Sequence, residues 1–183
     1  MNTTDQQTAR CPNCDLVLPV AQPCPERGCQ KRNYHGVPQD YLKVEDGALD
    51  GMIGRMVDEY LAVGILGQGG FGKVYEALQM PIQMKTALKL MHRHNRDDAV
   101  MQVLLRKFQG EAQALATLTH PNIVRLMKYG TYNGLPYLVM ELVEGARTLK
   151  KEVALRALKG QSLALQEIQR IIRQVVDALE AAH

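Results

Sequence analysis

The sequence predicts an α+β fold, in which an antiparallel sheet packs against one main helix and a small cysteine-rich module precedes the sheet. Three observations support this prediction. Short alternating apolar runs, separated by glycine and proline, recur between residues 59 and 141 and are typical of strands joined by hairpins. One segment among them, residues 100–115, has its apolar residues at helical spacing instead. All four cysteines lie between residues 11 and 29.

Size and composition are those of a globular protein. The chain has 183 residues, of which 46% are hydrophobic, and this is enough for one ordinary core and a small extra module. The formal net charge is only +3 and the basic residues are scattered, so we expect no nucleic-acid partner. No segment approaches the roughly 18 apolar residues of a membrane span. We therefore expect no membrane segment in this chain and a cytoplasmic location.

The four cysteines form two closely spaced pairs, Cys11 and Cys14, then Cys24 and Cys29. Four thiolates in this arrangement can close a tetrahedron around Zn²⁺, and metal binding then replaces the core that so short a segment cannot build. We therefore predict a zinc-ribbon-like module over residues 11–37, with all four cysteines as metal ligands. Two disulfides or a redox pair are the alternatives. His35 is expected to be an ordinary surface histidine.

Two segments carry no clear pattern of secondary structure. Residues 1–10 are polar, and we expect them to be flexible. Residues 38–58 mix a proline, acidic residues and three glycines, which is typical of a linker with a short extended end. If the linker separates two independent modules, metal removal should unfold the cysteine-rich module and leave the remainder of the protein nearly unchanged.

A glycine-rich segment separates the first two predicted strands. The strand pattern that begins at Glu59 is interrupted over residues 66–72, whose sequence is Leu-Gly-Gln-Gly-Gly-Phe-Gly, and it resumes through Val74. Glycine lacks the Cβ that would keep backbone N–H groups away from phosphate oxygens. Dinucleotide fingerprints and Walker loops lead into a helix, whereas this segment returns to a strand. It therefore predicts a hairpin that lies over nucleotide phosphates.

The remaining elements of the main domain follow in the order strand, helix, strand, strand. Two acidic residues precede the helix, where the helix dipole favours negative charge. Asn133-Gly134 predicts the turn between the last two strands. The expected boundaries are residues 85–91, 100–115, 123–127 and 136–141.

Two further helices are predicted after residue 146. The first covers residues 148–158 and ends near Gly160, and Ser162 begins a longer second helix. The second helix carries an apolar stripe formed by Ile168, Ile171, Ile172, Val175, Val176, Leu179 and Ala182. Such a stripe is normally covered by protein. We expect it to pack against residues beyond this chain or to support self-association through residues 165–182.

Several short motifs occur in a fixed order along the chain. They are Gly67-x-Gly69-x-Phe71-Gly72-x-Val74, Ala87-x-Lys89, Glu111 in the predicted helix, His120-Pro121-Asn122-Ile123-Val124, and Met140-Glu141-Leu142-Val143-Glu144-Gly145. Together they resemble the amino-terminal lobe of a protein kinase, and are most similar to bacterial serine/threonine kinases of the eukaryotic type. The resemblance implies a lobe of five antiparallel strands and one main helix over residues 59–145. Residues 146–183 would then begin the second lobe.

The resemblance also implies a role for each residue around the nucleotide. Lys89 and Glu111 are the candidate catalytic residues: Lys89 would hold the α and β phosphates of ATP, and Glu111 would pair with Lys89. The alternatives are a strand-surface charge for Lys89 and an i,i+4 contact with Lys107 for Glu111. Lys73 is expected to point into solvent. The other residues expected to bind ATP are Leu66, Gly67, Gly69, Gly70, Phe71, Gly72, Val74, Ala87, Met140, Glu141 and Val143.

The implied activity is transfer of the ATP γ-phosphate to serine or threonine of a protein substrate, with Mg²⁺ as a further cofactor. The catalytic loop and magnesium motif of the family are expected beyond residue 183, so we expect the chain alone to be inactive. Two hypotheses follow. The chain is the front part of an active kinase, or it is a non-catalytic interaction module that binds a regulatory partner through its cysteine module and lobe.

Overall fold

The computed structural model describes residues 8–42, 50–70, 72–91, 98–145 and 147–182. These residues form a three-stranded sheet, a six-stranded sheet and four α-helices. The strands are β1 (Thr8–Arg10), β2 (Val17–Pro19), β3 (Val37–Pro38), β4 (Met56–Val57), β5 (Tyr60–Gly69), β6 (Gly72–Gln79), β7 (Met84–Met91), β8 (Leu126–Tyr132) and β9 (Leu135–Glu141). The helices are α1 (Arg27–Gln30), α2 (Asp98–Thr117), α3 (Leu149–Leu158) and α4 (Leu165–Ala182), and a 3-10 helix spans Gln39–Tyr41.

The large sheet has the strand order β4-β5-β6-β7-β9-β8, and all neighbouring strands are antiparallel. Five of these strands were predicted, but β8 begins three residues later than predicted, because residues 121–123 form a turn in which Ile123 N donates to His120 O at 3.1 Å. The sixth strand, β4, lies within residues 38–58, where the sequence predicted a linker with a short extended end. Two residues are too few to produce an alternating pattern. This strand depends instead on the complete burial of Val57 and on a turn at Asp58, whose φ of 50° aspartate tolerates.

The small sheet has the order β2-β1-β3, and its central strand lies within residues 1–10, which were expected to be flexible. Ala9 is completely buried and pairs with Leu18 on one side and Pro38 on the other. Both neighbouring strands therefore supply backbone partners to a segment whose side chains are mostly polar. Residues 1–7 lie outside the described residues.

The large sheet is buried on both faces. Because side chains alternate along a strand, Leu88 and Leu90 of β7 lie on one face and Lys89 lies on the other. Leu88 pairs with Val139 of β9, Leu90 pairs with Tyr137, and all four side chains are buried. The sheet therefore separates the face that carries Lys89 from a second face whose buried side chains are mostly apolar.

Helix α2 covers the face that carries Lys89. Its residues Phe108 and Ala112 are buried against Met91 of β7 and Leu138 of β9. An acidic residue lies in the first turn of α2, where the helix dipole favours it. The predicted packing of one main helix on the sheet is thus present in the structure.

The amino-terminal residues cover the opposite face. Val37, Ile53 and Val57 are buried in one core with side chains of the large sheet. The sheet residues in this core are Tyr60, Leu61, Ala62, Val63, Tyr75, Ala77, Leu78, Leu88, Leu90, Tyr137 and Val139. The residues predicted as a linker therefore contribute to the main hydrophobic core of the lobe.

Side chains also join the two edges of the large sheet. Lys128 of edge strand β8 lies 2.6 Å from Glu59 Oε2 and 3.1 Å from Asp58 Oδ2, next to edge strand β4. The Lys128 ammonium also lies 5.5 Å from the centre of the Tyr60 ring, and the Tyr137 hydroxyl donates a hydrogen bond to Asp58. Hydrogen bonds from Tyr137 and Lys128 lower the pKa of Asp58, while burial raises the pKa of Tyr137 to about 12. The sheet is therefore curled.

Helices α3 and α4 follow the large sheet. Thr148 caps α3 by accepting a hydrogen bond from the backbone N–H of Lys151, and Arg156 of α3 donates two hydrogen bonds to Glu167 of α4. Within the described residues, α4 has no buried side chain. Its exposed apolar residues are Leu165, Ile168, Ile172, Val175, Val176 and Leu179. In the described parts of the chain, no helix is both long enough and apolar enough to cross a membrane.

Candidate functional site

Strands β5 and β6 form the glycine hairpin at residues 66–72 and stay paired as far as Gly69 and Gly72. A Cβ at Gly72 would lie 1.9 Å from the carbonyl oxygen of Leu90, so any side chain there would collide with β7. By contrast, a Cβ at Gly67, Gly69 or Gly70 would meet no atom of the described residues within 4 Å. Gly72 is therefore required by the packing of the protein itself, whereas the other three glycines leave the backbone of the hairpin open.

Lys89 and Glu111 lie next to each other although 22 residues separate them. Lys89 Nζ is 2.6 Å from Glu111 Oε1 and 2.7 Å from Oε2, so the ammonium holds both oxygens of the carboxylate. The ammonium also lies 5.6 Å from the centre of the Phe108 ring. The ion pair joins β7 to α2, which makes the position of the lysine depend on the position of the helix.

Three apolar side chains lie on the same face of the sheet as Lys89. Val74 is paired directly with Lys89, and Ala87, two residues before Lys89, is paired with Met140 of β9. Residues paired across neighbouring strands lie on the same face, so these three apolar side chains share the face that carries Lys89. Ala87 is buried, and Val74 and Met140 are half-buried. Such an apolar surface suits a flat aromatic ring.

Leu66 and Val143, which the sequence predicted to contact ATP, have exposed side chains. They are 47% and 54% exposed, which is high for large apolar side chains. Glu141 precedes Val143 and marks the end of β9, where its N–H donates to the carbonyl of Arg125 at 3.0 Å. The N–H of Glu141 is therefore already bonded within the protein. Phe71 lies outside the residues that the structure describes.

Lys73 does not point into solvent as predicted. Its ammonium lies 2.6 Å from Asp50 Oδ2, and the two side chains are only 25% and 15% exposed. The other oxygen of Asp50 accepts hydrogen bonds from the backbone N–H of Met52 at 2.9 Å and from the Tyr75 hydroxyl at 3.1 Å. Burial alone would raise the pKa of Asp50, but the hydrogen bonds from Lys73, Met52 and Tyr75 hold it below its ordinary value.

Sequence reasoning missed Asp50. Its partners Lys73 and Tyr75 lie 23 and 25 residues away. Asp50 stands before Gly51 in a segment whose composition indicates a turn or a linker. No local pattern distinguishes a turn aspartate from one that binds two residues of a distant strand, so the sequence offered no signal for this contact.

The four cysteines meet in one cluster, with all four sulfur atoms within 4.8 Å of one another. Cys11 Sγ lies 3.7 Å from Cys29 Sγ, and Cys14 Sγ lies 3.5 Å from Cys24 Sγ. These distances exceed the roughly 2.05 Å of a disulfide bond, and all four cysteines are free. Tetrahedral Zn²⁺ with bonds of about 2.3 Å to sulfur places the sulfur atoms about 3.8 Å apart. The observed spacing therefore fits a zinc ion.

The surroundings of the sulfur atoms differ. Cys11, Cys24 and Cys29 are buried and Cys14 is exposed. Burial raises the pKa of Cys24 to about 12 and also raises the pKa of Cys29. Burial acts upward on Cys14 too, but hydrogen bonds from the Leu16 backbone and the neighbouring thiols lower its pKa. A bound divalent cation would favour the thiolate form of all four residues.

His35 is not a surface residue as expected. It is 7% exposed, and its Nδ1 lies 3.1 Å from the carbonyl oxygen of Asn33. It is also absent from the group of described residues that could hold a metal ion, which consists of the four cysteines. Its backbone N–H donates to the carbonyl of Gly54 at 2.7 Å. The histidine is buried because the segment after residue 50 covers it.

Comparison with known proteins identifies the family. The protein kinase domain family matches residues 60–183. The chain belongs to the protein kinase family. The matched region includes the glycine hairpin and the Lys89–Glu111 pair of this kinase lobe, whereas the cysteine cluster lies before it. The predictions of the family and of the α+β fold are therefore confirmed.

Several curated kinases are similar to this one. The serine/threonine-protein kinase Pkn1 of Myxococcus xanthus is 33% identical over 136 residues, which cover 74% of this chain and 18% of that kinase. PknD of Mycobacterium tuberculosis is 35% identical over 133 residues, which cover 72% of this chain and 18% of PknD. PrkC of Bacillus subtilis is 32% identical, with 72% and 19% covered. The match thus spans about a fifth of the length of these relatives.

Solved structures agree with the observed fold. The kinase domain of PknI from Mycobacterium tuberculosis aligns with a TM-score of 0.57 and 28% identity, over 72% of this chain and 50% of that domain. The structure described as the apo form of PpkA-294 aligns with a TM-score of 0.51 and 26% identity, over 58% of this chain and 43% of that one. The chain therefore spans about half of a kinase domain.

Proposed function

We propose that this chain is the nucleotide-binding front part of a serine/threonine protein kinase, which transfers the γ-phosphate of ATP to serine or threonine of a protein substrate. The observation that carries the proposal is the Lys89–Glu111 ion pair, at 2.6 Å, on the sheet face below the glycine hairpin. An ion pair that joins strand and helix next to a glycine hairpin is the arrangement with which kinases hold nucleotide phosphates.

ATP supplies the phosphoryl group, and Mg²⁺ bound with it neutralises charge on the phosphates. Lys89 would hold the α and β phosphates, and Glu111 would keep the lysine ammonium extended toward them. The open backbone at Gly67, Gly69 and Gly70 allows N–H groups to approach phosphate oxygens, because no Cβ intervenes. These residues bind and orient the nucleotide, and none of them accepts a proton from the substrate.

An apolar slot would hold the adenine ring. Val74 and Ala87 supply one wall, and the exposed side chains of Leu66 and Val143 gain contacts when the ring covers them. Met140 would limit the depth of the slot. The carbonyl of Glu141 and the N–H of Val143 would bind the edge of the ring, and hydrogen bonds to these two backbone groups would select adenine over other bases.

Phosphoryl transfer also requires residues that this sequence does not contain. Neither His-Arg-Asp nor Asp-Phe-Gly occurs among the 183 residues. These motifs supply the aspartate that accepts the substrate proton and the ligands of Mg²⁺ in the family. We propose that residues outside this sequence supply both functions and determine the protein substrate.

Nucleotide binding by the 183-residue chain tests the proposal. We expect ATP to bind and Lys89→Met to weaken binding at least about 10-fold, because a charged contact to phosphate is lost. Lys107→Met is the matched control, since Lys107 is exposed on α2 four residues before Glu111. Titration with a fluorescent ATP analogue measures both constants. Equal binding by wild type and Lys89→Met would refute the assignment, and a loss in Lys107→Met alone would favour the local i,i+4 contact.

The apolar side of α4 supports a second function as an interaction module. Leu165, Ile172 and Leu179 are each more than half exposed, and patches of this kind mark interfaces. Through this helix the chain would self-associate or bind a regulatory protein. Sedimentation equilibrium of wild type and Ile172→Glu distinguishes the functions: a dimer that the substitution dissociates supports association, and a monomer at all concentrations argues against self-association.

We also propose that Cys11, Cys14, Cys24 and Cys29 bind one Zn²⁺ ion. The sulfur spacing supports a tetrahedral site, and three of the four ligands are buried. Four reduced thiols and a site for ATP are consistent with the cytoplasm as the working compartment. Metal analysis of the purified chain should find about one zinc per chain. A chain without metal, but with two disulfides in mass spectra, would contradict both proposals.

A further inference from the structure

Residues 50–57, which we call the connecting segment, lie between the cysteine cluster and the glycine hairpin. On one side, Gly54 packs against Pro12, which lies between Cys11 and Cys14 in the sequence. A Cβ at Gly54 would lie 2.4 Å from Pro12 Cγ, so the backbone of Gly54 lies directly against the residue that follows Cys11. The carbonyl of Gly54 also accepts the N–H of His35 at 2.7 Å. This approach requires glycine, whose φ here is +82°.

Arg55 contacts the second cysteine pair through Tyr34. The Arg55 guanidinium lies 5.3 Å from the centre of the Tyr34 ring. The Tyr34 carbonyl accepts a hydrogen bond from Cys24 N at 2.9 Å, and Tyr34 N donates to Cys29 O at 3.2 Å. The position of Tyr34 thus depends on both cysteines of this pair. Gly54 and Arg55 together contact residues that adjoin both cysteine pairs.

On its other side, the connecting segment holds the strands of the glycine hairpin. Gly54 N donates to Ala62 O at 2.8 Å and Ala62 N donates to Arg55 O at 3.1 Å, so the segment is bonded to β5. Asp50 holds Lys73 and Tyr75 of β6. Lys73 directly follows the last glycine of the hairpin. The segment therefore fixes both strands that support the hairpin.

Apolar contacts also connect the segment to strand β7. Ile53 and Val57 are buried in the core that includes Leu88 and Leu90. These two leucines flank Lys89 in β7, on the opposite face of the sheet. The same segment that contacts the cysteine cluster thus also packs behind the strand that carries the phosphate-binding lysine.

We propose that the connecting segment makes the affinity of the glycine hairpin for nucleotide depend on metal binding at the four cysteines. This inference rests on the proposed nucleotide site. Without metal, the cluster of Cys11, Leu18, Cys24, Cys29 and Tyr34 is too small to hold its own structure. Gly54 and Arg55 then lose their contacts with Pro12 and Tyr34. The connecting segment becomes less ordered and holds strands β5 and β6 less firmly.

The physical cause is the entropy of ordering. A hairpin whose supporting strands move more freely loses more conformational freedom when a nucleotide binds, so the affinity falls. Coupling between two sites is reciprocal, and one ligand typically changes the affinity for the other by roughly 5- to 150-fold. We expect metal removal to weaken nucleotide binding about 10-fold and bound nucleotide to make the metal harder to remove by the same factor.

The first experiment measures the Kd of a fluorescent ATP analogue for the 183-residue chain, loaded with zinc or treated with a chelator. The reciprocal experiment measures zinc loss to a colorimetric chelator with and without saturating ATP. Circular dichroism checks that both forms are folded. Binding in both forms with equal Kd would overturn the inference and leave the nucleotide site intact. Absence of binding in the zinc-loaded form would instead refute the proposed function.

Asp50→Asn tests the inference while the metal stays bound. If the chelated chain unfolds and its Kd cannot be compared, this variant provides the test. The variant should retain one zinc, bind nucleotide several-fold more weakly, and show a reduced effect of metal on Kd. Asp15→Asn is the matched control: it removes the ion pair with Arg10 at 2.8 Å, and asparagine tolerates its φ of 62°. A zinc-loaded Asp50→Asn variant with the Kd of wild type would overturn the inference.

Discussion

At the scale of single residues, the glycines of the hairpin have different functions. Gly72 faces the carbonyl of Leu90, and a Cβ there would come within 1.9 Å of that oxygen. Gly69 has open space on the side where a Cβ would lie, as far as the described residues extend. One glycine therefore permits the close packing of β6 on β7, whereas the other leaves the backbone open, as the proposed nucleotide site requires. Both requirements select glycine, so the sequence alone does not distinguish them.

Gly72→Ala should destabilise the lobe by about 1 to 3 kcal/mol, because the new methyl group forces β6 away from β7. Gly69→Ala should leave the free energy of unfolding within about 1 kcal/mol of wild type, because its methyl group points into open space. It should weaken nucleotide binding, because the methyl group would keep phosphate oxygens away from the backbone. Urea unfolding and nucleotide titration of both variants measure the two effects. A stable Gly72→Ala variant would contradict the packing role.

Asp50 predicts a dependence of stability on pH. Its pKa is held below the ordinary value of 3.8, so its contribution to stability is fully present above that value and is lost as pH falls through the lower pKa of the folded state. Asp50→Asn should therefore be less stable than wild type at pH 7, and the difference should shrink below about pH 4. Urea unfolding across this range measures it.

Asp15→Asn provides the control for that pH series. Asp15 is 77% exposed, so its ion pair with Arg10 is screened by solvent and should change stability little at any pH. A difference between wild type and Asp50→Asn that stays constant down to pH 2 would show that Asp50 does not act through its charge.

At the scale of elements, the sequence predicted those with a repeated pattern and missed the short ones. Strands β5, β6, β7 and β9 and helix α2 have apolar patterns over at least seven residues, whereas β8 shares only residues 126–127 with its predicted range. Strands β1 and β4 have three and two residues, too few for a period, and they form because neighbouring strands offer backbone partners. The Lys89–Glu111 pair was predictable from motif spacing, whereas the contact of Asp50 with Lys73 had no local signal.

The edges of the large sheet offer a prediction at this scale. Lys128 joins edge strand β8 to Asp58 and Glu59, and all three side chains are about one-third to one-half exposed. Solvent screens such a network, so Lys128→Ala should lower the free energy of unfolding by only about 1 kcal/mol. Lys85→Ala, which removes a more exposed pair with Glu144, should change it less. Urea unfolding of both variants measures the two changes in free energy. Equal changes would argue that Lys128 does not hold the two edges of the sheet together.

At the scale of the whole molecule, the large sheet is covered by two different layers. Helix α2 covers the face that carries Lys89, and the amino-terminal residues cover the opposite face. A linker between independent modules would leave that second face to be covered by something else. Instead, Val37, Ile53 and Val57 are at most 3% exposed in the core of the lobe. The cysteine module and the lobe therefore have a common core.

Metal removal should accordingly lower the stability of the entire lobe. Two modules that share a core stabilise each other, so metal bound to one raises the temperature at which both unfold. We expect one thermal transition for the zinc-loaded chain, detected identically by far-ultraviolet circular dichroism and by tyrosine fluorescence, and a lower midpoint after chelation. If the cysteine module melted alone and the sheet kept its midpoint, the common core would contribute little to stability. Val37→Ala, which truncates a fully buried side chain at the junction, should lower the same single midpoint without releasing zinc.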